Sequence, residues 1–492
     1  MRRRGALLAL VGLLLLAALA ELAIIFRPDS TGPVVGTIAT DAFPTLIADD
    51  PRTGRAIFGS EDGARLFLVD TLTARVVSTV TLPRSTVLEG AFGFTAIPSQ
   101  QEDTGRGLVF VISHPPLGLQ LYTLNAIDIR SGRIVGAAPL PPAGGGNDAW
   151  VVVDPRTRRV FALTVPFPGV AVSVFDELTL RLLRTTTVSA PPPINVGWGI
   201  GNPLAVDVCS ARVFASHVAD NSVGVLDATS GRLLRTTALY PHGNQLGRSL
   251  QAGALRADET LGRVYVTDTL NGVMHTLDAA SGRALGSTRI GPRPFPPIVD
   301  ERARRLLVPY RRGLAALDAG NGRLLRRIAT VQAPMYVAAT ASDGRVFLSS
   351  GLDGSVGVVG ARPGAPIRTL RTASSHVDGL ALDDHSGHLF VLDPGSGNAS
   401  GAFMGQGVVR VLDVTSGATL RTIPVGSAAN AIVIDQRRQR ALVFNGGGAL
   451  PVPDPWGWLP TALRQRLPFI PAPSSGARIA PGSVTIIDTS RL

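Results

Sequence analysis

One unit recurs along the whole chain, and no other feature restricts its fold as strongly. It reads as an apolar strand, an Asp-rich turn ending in Arg, a second apolar strand and a variable loop. A third strand ending in Asp, an x-Ser-Gly-Arg turn and a fourth strand complete it. Clear copies are "AWVVVDPRTRRVFALTV … VAVSVFDELTLRLLRTT", "PLAVDVCSARVFASHVADNSVGVLDATSGRLLRTT" and "AIVIDQRRQRALVFN … GSVTIIDTS". The Asp closing the third strand falls at Asp70, Asp128, Asp176, Asp227, Asp278, Asp318, Asp413 and Asp488. A further copy carries Gly360 at that place, which makes nine units.

Four short apolar segments split by Gly, Asp, Ser or Asn turns are the pattern of a propeller blade. One such sheet cannot cover both of its faces. Stacked around an axis, each sheet covers its neighbour and long exposed edges disappear. The expected fold class is all-β: a single β-propeller of four-stranded blades, nine by repeat count and eight if one unit is degenerate. A split into two lobes is the alternative, but no shift in composition marks a linker. The last unit stops after "SVTIIDTSRL" without a fourth strand, and "PVVGTI" at Pro33 to Ile38 reads as the missing one. Pairing the two would close the ring. The propeller is thus placed at 33–492, with 446–482 as a long insertion in the last blade, where "PTALRQRL" has a short-helix pattern. With 45% hydrophobic residues a large core is possible, and with 5% aromatics it is built mainly from Val, Ile and Leu.

"RVYVTDTLNGVMHTLDAASGRAL" and "VRVLDVTSGATLRTIPVGSAANAIVIDQRRQRALVFN" resemble the YVTN-repeat β-propellers, the YncE-like family. The tetrapeptide stands as Tyr265-Val266-Thr267-Asp268, with Asp where the family usually has Asn, and the "IPVG" link stands at Ile423 to Gly426. The resemblance runs from about Pro33 to the C-terminus and implies an exported propeller. It implies no activity, because propellers host many unrelated functions.

The N-terminus supports export. Arg2, Arg3 and Arg4 precede an apolar run from Gly5 to Phe26 that only Glu21 interrupts. The arginines should stay cytoplasmic and send the rest outward. Residues 1–27 read as a signal peptide cleaved after Ala18-Leu19-Ala20 or as a retained membrane anchor, the run being long enough to span a bilayer. The expected location is extracytoplasmic, either anchored to the cell membrane or secreted.

Propeller geometry sorts the connections. The a–b and c–d turns share one face, which places Arg55, Arg133, Arg159, Arg212, Arg232, Arg283 and Arg323 on one side of the disc. The long insertions fall on the other side, including "SAPPPINVGWGIG", "LYPHGNQLGRSLQAG", "DPGSGNASGAFMGQG" and Gly446 to Gly482. Only Arg27 to Pro33 separate the apolar run from strand d, a reach of at most ~25 Å. A retained anchor therefore turns the arginine face to the membrane, where anionic lipid could reinforce docking. At the axis, aligned first strands put Asn202, Asp378 and Asn430 at equivalent positions near Trp198, a candidate ligand-binding rim of the central funnel.

Catalytic chemistry is thinly represented. All 47 basic residues are arginine, which excludes lysine-dependent reactions. Cys209 is the single cysteine, so neither an intramolecular disulfide nor a cysteine zinc site can form. No H-E-x-x-H, G-x-S-x-G or P-loop pattern occurs. "DDHSGH" at Asp383 to His388 occupies an a–b turn that reads "DPRTRR" elsewhere, and is expected to be a solvated turn rather than a metal site. "LDATSGRLLRT" resembles the docking motif of quinoprotein dehydrogenases but lacks its Trp. No catalytic residue, metal or cofactor is therefore assigned, and scattered turn arginines argue against nucleic acid. The expected function is a monomeric binding or scaffolding module whose long-loop face takes a protein or small-molecule partner. The alternatives are a hydrolase of the lactonase type using Asp148, Asp378 and His376, a divergent quinoprotein-like oxidoreductase, and an envelope structural protein.

Overall fold

The computed structural model is a nine-bladed β-propeller. Of residues 32–492 it describes all but 41–43, 51, 61–64, 83–86, 90–101, 104, 115–121, 142–148, 165–169, 190–201, 218–220, 241–251, 301–302, 312, 330–333, 341–343, 351–353, 361–367, 375, 396–404, 448, 452–476 and 480. The N-terminal run, Trp198, Asp148 and "PTALRQRL" lie outside the described residues. Blades 1 to 8 span 44–81, 87–139, 149–189, 204–238, 252–289, 298–329, 334–371 and 379–427. In each, strands a, b, c and d pair in order as antiparallel neighbours; strand a of blade 2 is split into Val87–Glu89 and Glu102–Asp103, both on the same partner.

Blade 9 takes strands a, b and c from Ala429–Asp435, Arg440–Asn445 and Ser483–Asp488, and strand d from Val34–Ala39. Thr37 stands opposite Thr485 with the two hydroxyls 3.4 Å apart. The Asp488 N–H donates to the Pro33 carbonyl at 2.7 Å. The expected closure is present, and the blade count is nine rather than eight.

Burial follows from stacking. In blade 3, strands b (Arg159–Thr164) and c (Val170–Asp176) are almost wholly buried, whereas strand d (Leu182–Ser189) is mostly exposed. An apolar cluster fills each of the nine seams between consecutive blades. Between blades 3 and 4, Phe161, Leu163 and Val172 meet Leu204, Val213 and Leu226. At the closing seam, Leu442, Phe444 and Ile486 of blade 9 meet Leu46, Ala56 and Phe58 of blade 1. Packing closes the ring together with the hydrogen bonds of the last blade.

The x-Ser-Gly-Arg turn has a local cause and a long-range one. In blade 4, Asp227 Oδ1 accepts from the N–H of Thr229 at 3.2 Å and from the N–H and hydroxyl of Ser230 at 2.8 Å each. Gly231 then adopts φ 68° and donates to the Asp227 carbonyl at 2.9 Å. A Cβ at Gly231 would lie 2.5 Å from Val174 Cγ2 of blade 3, so glycine serves the turn and the close approach of two blades. Its carbonyl receives the Thr186 hydroxyl of blade 3 at 2.7 Å. Thr237 donates to Gly282 at 2.6 Å and Thr288 to Gly322 at 2.7 Å in the same way. Threonines of strand d, two of them in the recurring "LLRTT", thus fasten blade 3 to 4, 4 to 5 and 5 to 6. Thr237→Val should leave a glycine carbonyl without its donor and cost about 1–2 kcal/mol, read from urea unfolding midpoints.

Register also explains the turn arginines. The first residue of strand b faces the last of strand c, so Arg159, Arg212, Arg263 and Arg440 meet Asp176, Asp227, Asp278 and Asp488 at 3.1, 3.4, 3.2 and 2.9 Å. The Thr179 N–H on Asp176, and the Ser281 hydroxyl and N–H on Asp278, hold these carboxyls below their usual range, with Arg159 and Arg263 adding to the effect. Arg159 and Arg212, expected among the cations of this face, are therefore neutralised within their own blades. Arg263 also donates to the Gly320 carbonyl of blade 6 at 2.7 Å.

At the closing seam Asp49 has an unusual environment. Burial, then the charges of Asp435 and Asp50, raise its pKa to about 7 against the pull of Arg438. An unfolded Asp titrates near 3.8. Between these values the folded chain keeps a proton that the unfolded chain has lost, so this contribution to stability is full below pH ~4 and disappears as pH rises through ~7. Asp49→Asn should flatten stability against pH over that window and raise the urea midpoint at pH 8. An unchanged slope would mean that Asp49 is ionised in the fold.

Candidate functional site

Strand a begins and strand b ends on the face that carries the long connections. In blade 8, Asp378 immediately precedes strand a (Gly379–Asp383), and Asp393 ends strand b (His388–Asp393). The Asp378 N–H donates to the Leu392 carbonyl at 3.0 Å, which brings the two carboxylates to the same end of the blade. His376 Nε2 lies 2.8 Å from Asp378 Oδ1. Arg410, from strand c (Gln406–Asp413), reaches Asp393 Oδ2 at 2.7 Å and Ser374 Oγ at 2.6 Å through Nη1. Gly395 N–H donates to Asp393 Oδ1 at 3.0 Å. Burial holds the Asp378 carboxyl above the usual range, with Asp393 adding to the shift and His376 opposing it. The result is an array of two acidic and two basic side chains in which His376 is the most exposed member.

Blade 5 carries a second polar cluster at the same level. Asp268, the last residue of strand b, accepts from Tyr240 Oη at 2.7 Å and from the Asn271 N–H at 3.0 Å. Burial and the Asp268 carboxylate push the Tyr240 phenol well above its ordinary range. His275 is buried, and that burial lowers its pKa to about 4, so it is neutral at physiological pH. Its Nδ1 lies 2.7 Å from Ser287 Oγ, and its ring packs edge-on to Tyr240 with centroids 4.9 Å apart.

The expected funnel rim is only partly a chemical site. Asn202 is a strand cap: its Oδ1 accepts from Leu204 N–H at 3.0 Å, and its carbonyl accepts from Leu255 N–H of blade 5 at 2.9 Å. Asn430 lies in strand a of blade 9, with Oδ1 buried and unpartnered among the described residues. The hydrogen bonds of Asn202, Asp378 and Asn430 do not join them to one another. Asp378 alone gathers other ionisable groups. Reading the chain missed Asp393, Arg410 and Ser374 as its neighbours. The available signal was "VVRVLD", since no other third strand carries an Arg, Asp or Glu between its first and last residues. His385 and Ser386 of "DDHSGH" belong to an a–b turn capped by Asp383. Among the described residues no three of His, Cys, Asp and Glu are grouped to hold a metal ion. The blade 8 array offers donors and acceptors together, which suits recognition of a polar group.

No protein-family model matches the chain, and no curated protein matches it either. Solved structures of similar fold include BamB from Moraxella catarrhalis, at 14% identity over 73% of this chain and 96% of that one, with a TM-score of 0.49. The dihydro-heme d1 dehydrogenase NirN in complex with DHE is 15% identical over 72% of each chain, with a TM-score of 0.48. The computationally designed Ika8 protein is 16% identical over 72% of this chain and 96% of that one, with a TM-score of 0.46. At these identities the likeness is one of fold.

Proposed function

We propose that the chain is an exported, membrane-tethered β-propeller of the YVTN type that binds a partner through its long-loop face. The observation that carries this reading is the inequality of the two faces. The a–b turns at 51–54, 155–158, 208–211, 259–262, 384–387 and 436–439 share one length and are closed by Asp caps. On the opposite side, connections such as 190–203, 239–251, 394–405 and 446–482 vary widely. Recognition concentrates in variable connections carried by a rigid scaffold. The tetrapeptide Tyr265-Val266-Thr267-Asp268 supports the YVTN reading, since it forms strand b and its Asp caps the turn that follows. The tether reading rests on the apolar run from Gly5 to Phe26.

Photocrosslinking in the producing cell tests the binding face. A photoreactive residue at His376 or Leu270 should give adducts with a protein of the cell envelope, and one at Thr229 or Ser281 on the other face should give no protein adduct. Protein adducts from the second pair alone, or from neither pair, would overturn the assignment.

A further inference from the structure

We propose that the outer rim of the arginine face is a docking surface for an anionic lipid bilayer, a deepening of the tether reading above. Of the twelve large apolar side chains that are exposed among the described residues, all but Leu270 belong to strand d or to the turn leading into it. Val135, Leu182, Leu234, Leu285, Leu325 and Leu420 come from six different blades, and each is about half exposed (55, 47, 49, 47, 46 and 51%). Each lies within the first three residues of its strand d, hence near the c–d turn and the arginine face. Repetition around a closed ring places them in one annulus.

The side chains of strand d itself carry charge of one sign. No strand d contains Asp or Glu, whereas eight of the nine contain Arg. Arg133, Arg232, Arg235, Arg283 and Arg326 are exposed, and among the described residues no carboxylate lies within ion-pairing distance of them. Arg159, Arg212, Arg263, Arg305 and Arg440 of strand b, by contrast, are paired with Asp. A soluble polyanion would pair with the outer arginines and leave the leucines in water. An apolar protein surface would cover the leucines and strand the guanidinium groups. Lipid phosphates and the acyl boundary beneath them satisfy both. The Pro33 carbonyl is hydrogen-bonded to Asp488 on this same face, so the chain leading back to the apolar run departs where the annulus lies.

The test uses the full chain with Cys209→Ser, since Cys209 is the single and exposed cysteine. Nitroxide labels are placed at Val135→Cys, Leu285→Cys and, as the opposite-face control, Leu270→Cys. The protein is reconstituted in phosphatidylcholine vesicles with or without phosphatidylglycerol, and accessibility to oxygen and to a water-soluble nickel chelate is measured. Rim labels should become oxygen-accessible and nickel-protected in the anionic vesicles alone, while the Leu270→Cys label stays aqueous in both. Each of Arg232→Gln and Arg283→Gln should lower the docking equilibrium about fivefold, and raised salt should do the same. Rim labels that stay aqueous on anionic vesicles still holding the protein would overturn the proposal and leave the tether intact. Lipid-independent spin coupling between copies would overturn it in favour of self-association. Protein absent from neutral vesicles, yet with nickel-protected rim labels on anionic ones, would support the rim contact and refute the tether.

Discussion

Removal of residues 1–39 is expected to destabilise the propeller more than any single substitution, by about 5 kcal/mol or more. The deletion strips strand d from blade 9, withdraws Ile38 from the closing seam, and exposes Ser483–Asp488 as an unpaired edge. A peptide covering residues 32–40 should restore the urea midpoint in a concentration-dependent way, because it binds the folded state alone. As a check on register, Thr37→Cys with Thr485→Cys in a Cys209→Ser background should form a disulfide that stabilises by about 2–4 kcal/mol. A truncated chain that unfolds at the full-length midpoint would refute closure by this strand.

Phe161→Ala should be the most damaging of the core truncations at a seam, at about 3–5 kcal/mol. Phe161 is fully buried near the start of strand b and packs in the cluster shared by blades 3 and 4. Phe110, Phe214, Tyr265, Phe347 and Phe390 repeat the aromatic in other blades, all fully buried. Phe161→Leu keeps most of the volume and should cost less than about 1.5 kcal/mol. Leu285→Ala, on the outer rim, should stay within about 0.5 kcal/mol. Equal losses at Phe161 and Leu285 would contradict the radial fall in burial. Guanidinium or urea melts of the three variants decide it.

Blade number, closure and the sorting of turns were legible because each follows from a local pattern that repeats. The Asp closing each third strand marks a blade end, and the missing fourth strand of the last unit points to Pro33–Ile38. The fasteners between blades were harder to read. "LLRTT" looks like an ordinary half-exposed strand until Thr237 is seen to reach Gly282 in the next blade. The same holds for the arginines: Arg212 looks like a free cation in a turn, and antiparallel register is what sets it against Asp227. At the candidate site, Asp378 could be found by aligning first strands. Its neighbours Ser374, Asp393 and Arg410 come from three separate segments, and only the sheet brings them together. Trp198 lies outside the described residues.

The shared ninth blade also bears on the order of assembly. Among the described residues Val34–Ala39 precedes every other strand, and its partner Ser483–Asp488 follows all of them. The pairing of this first described strand can therefore form only after Ser483–Asp488 has been made. Such a long-range pairing is slow to form, and its open ends invite wrong associations meanwhile. Closure of the ring is thus expected to come late in folding, and whatever holds the leading strand near its destination should shorten that vulnerable interval.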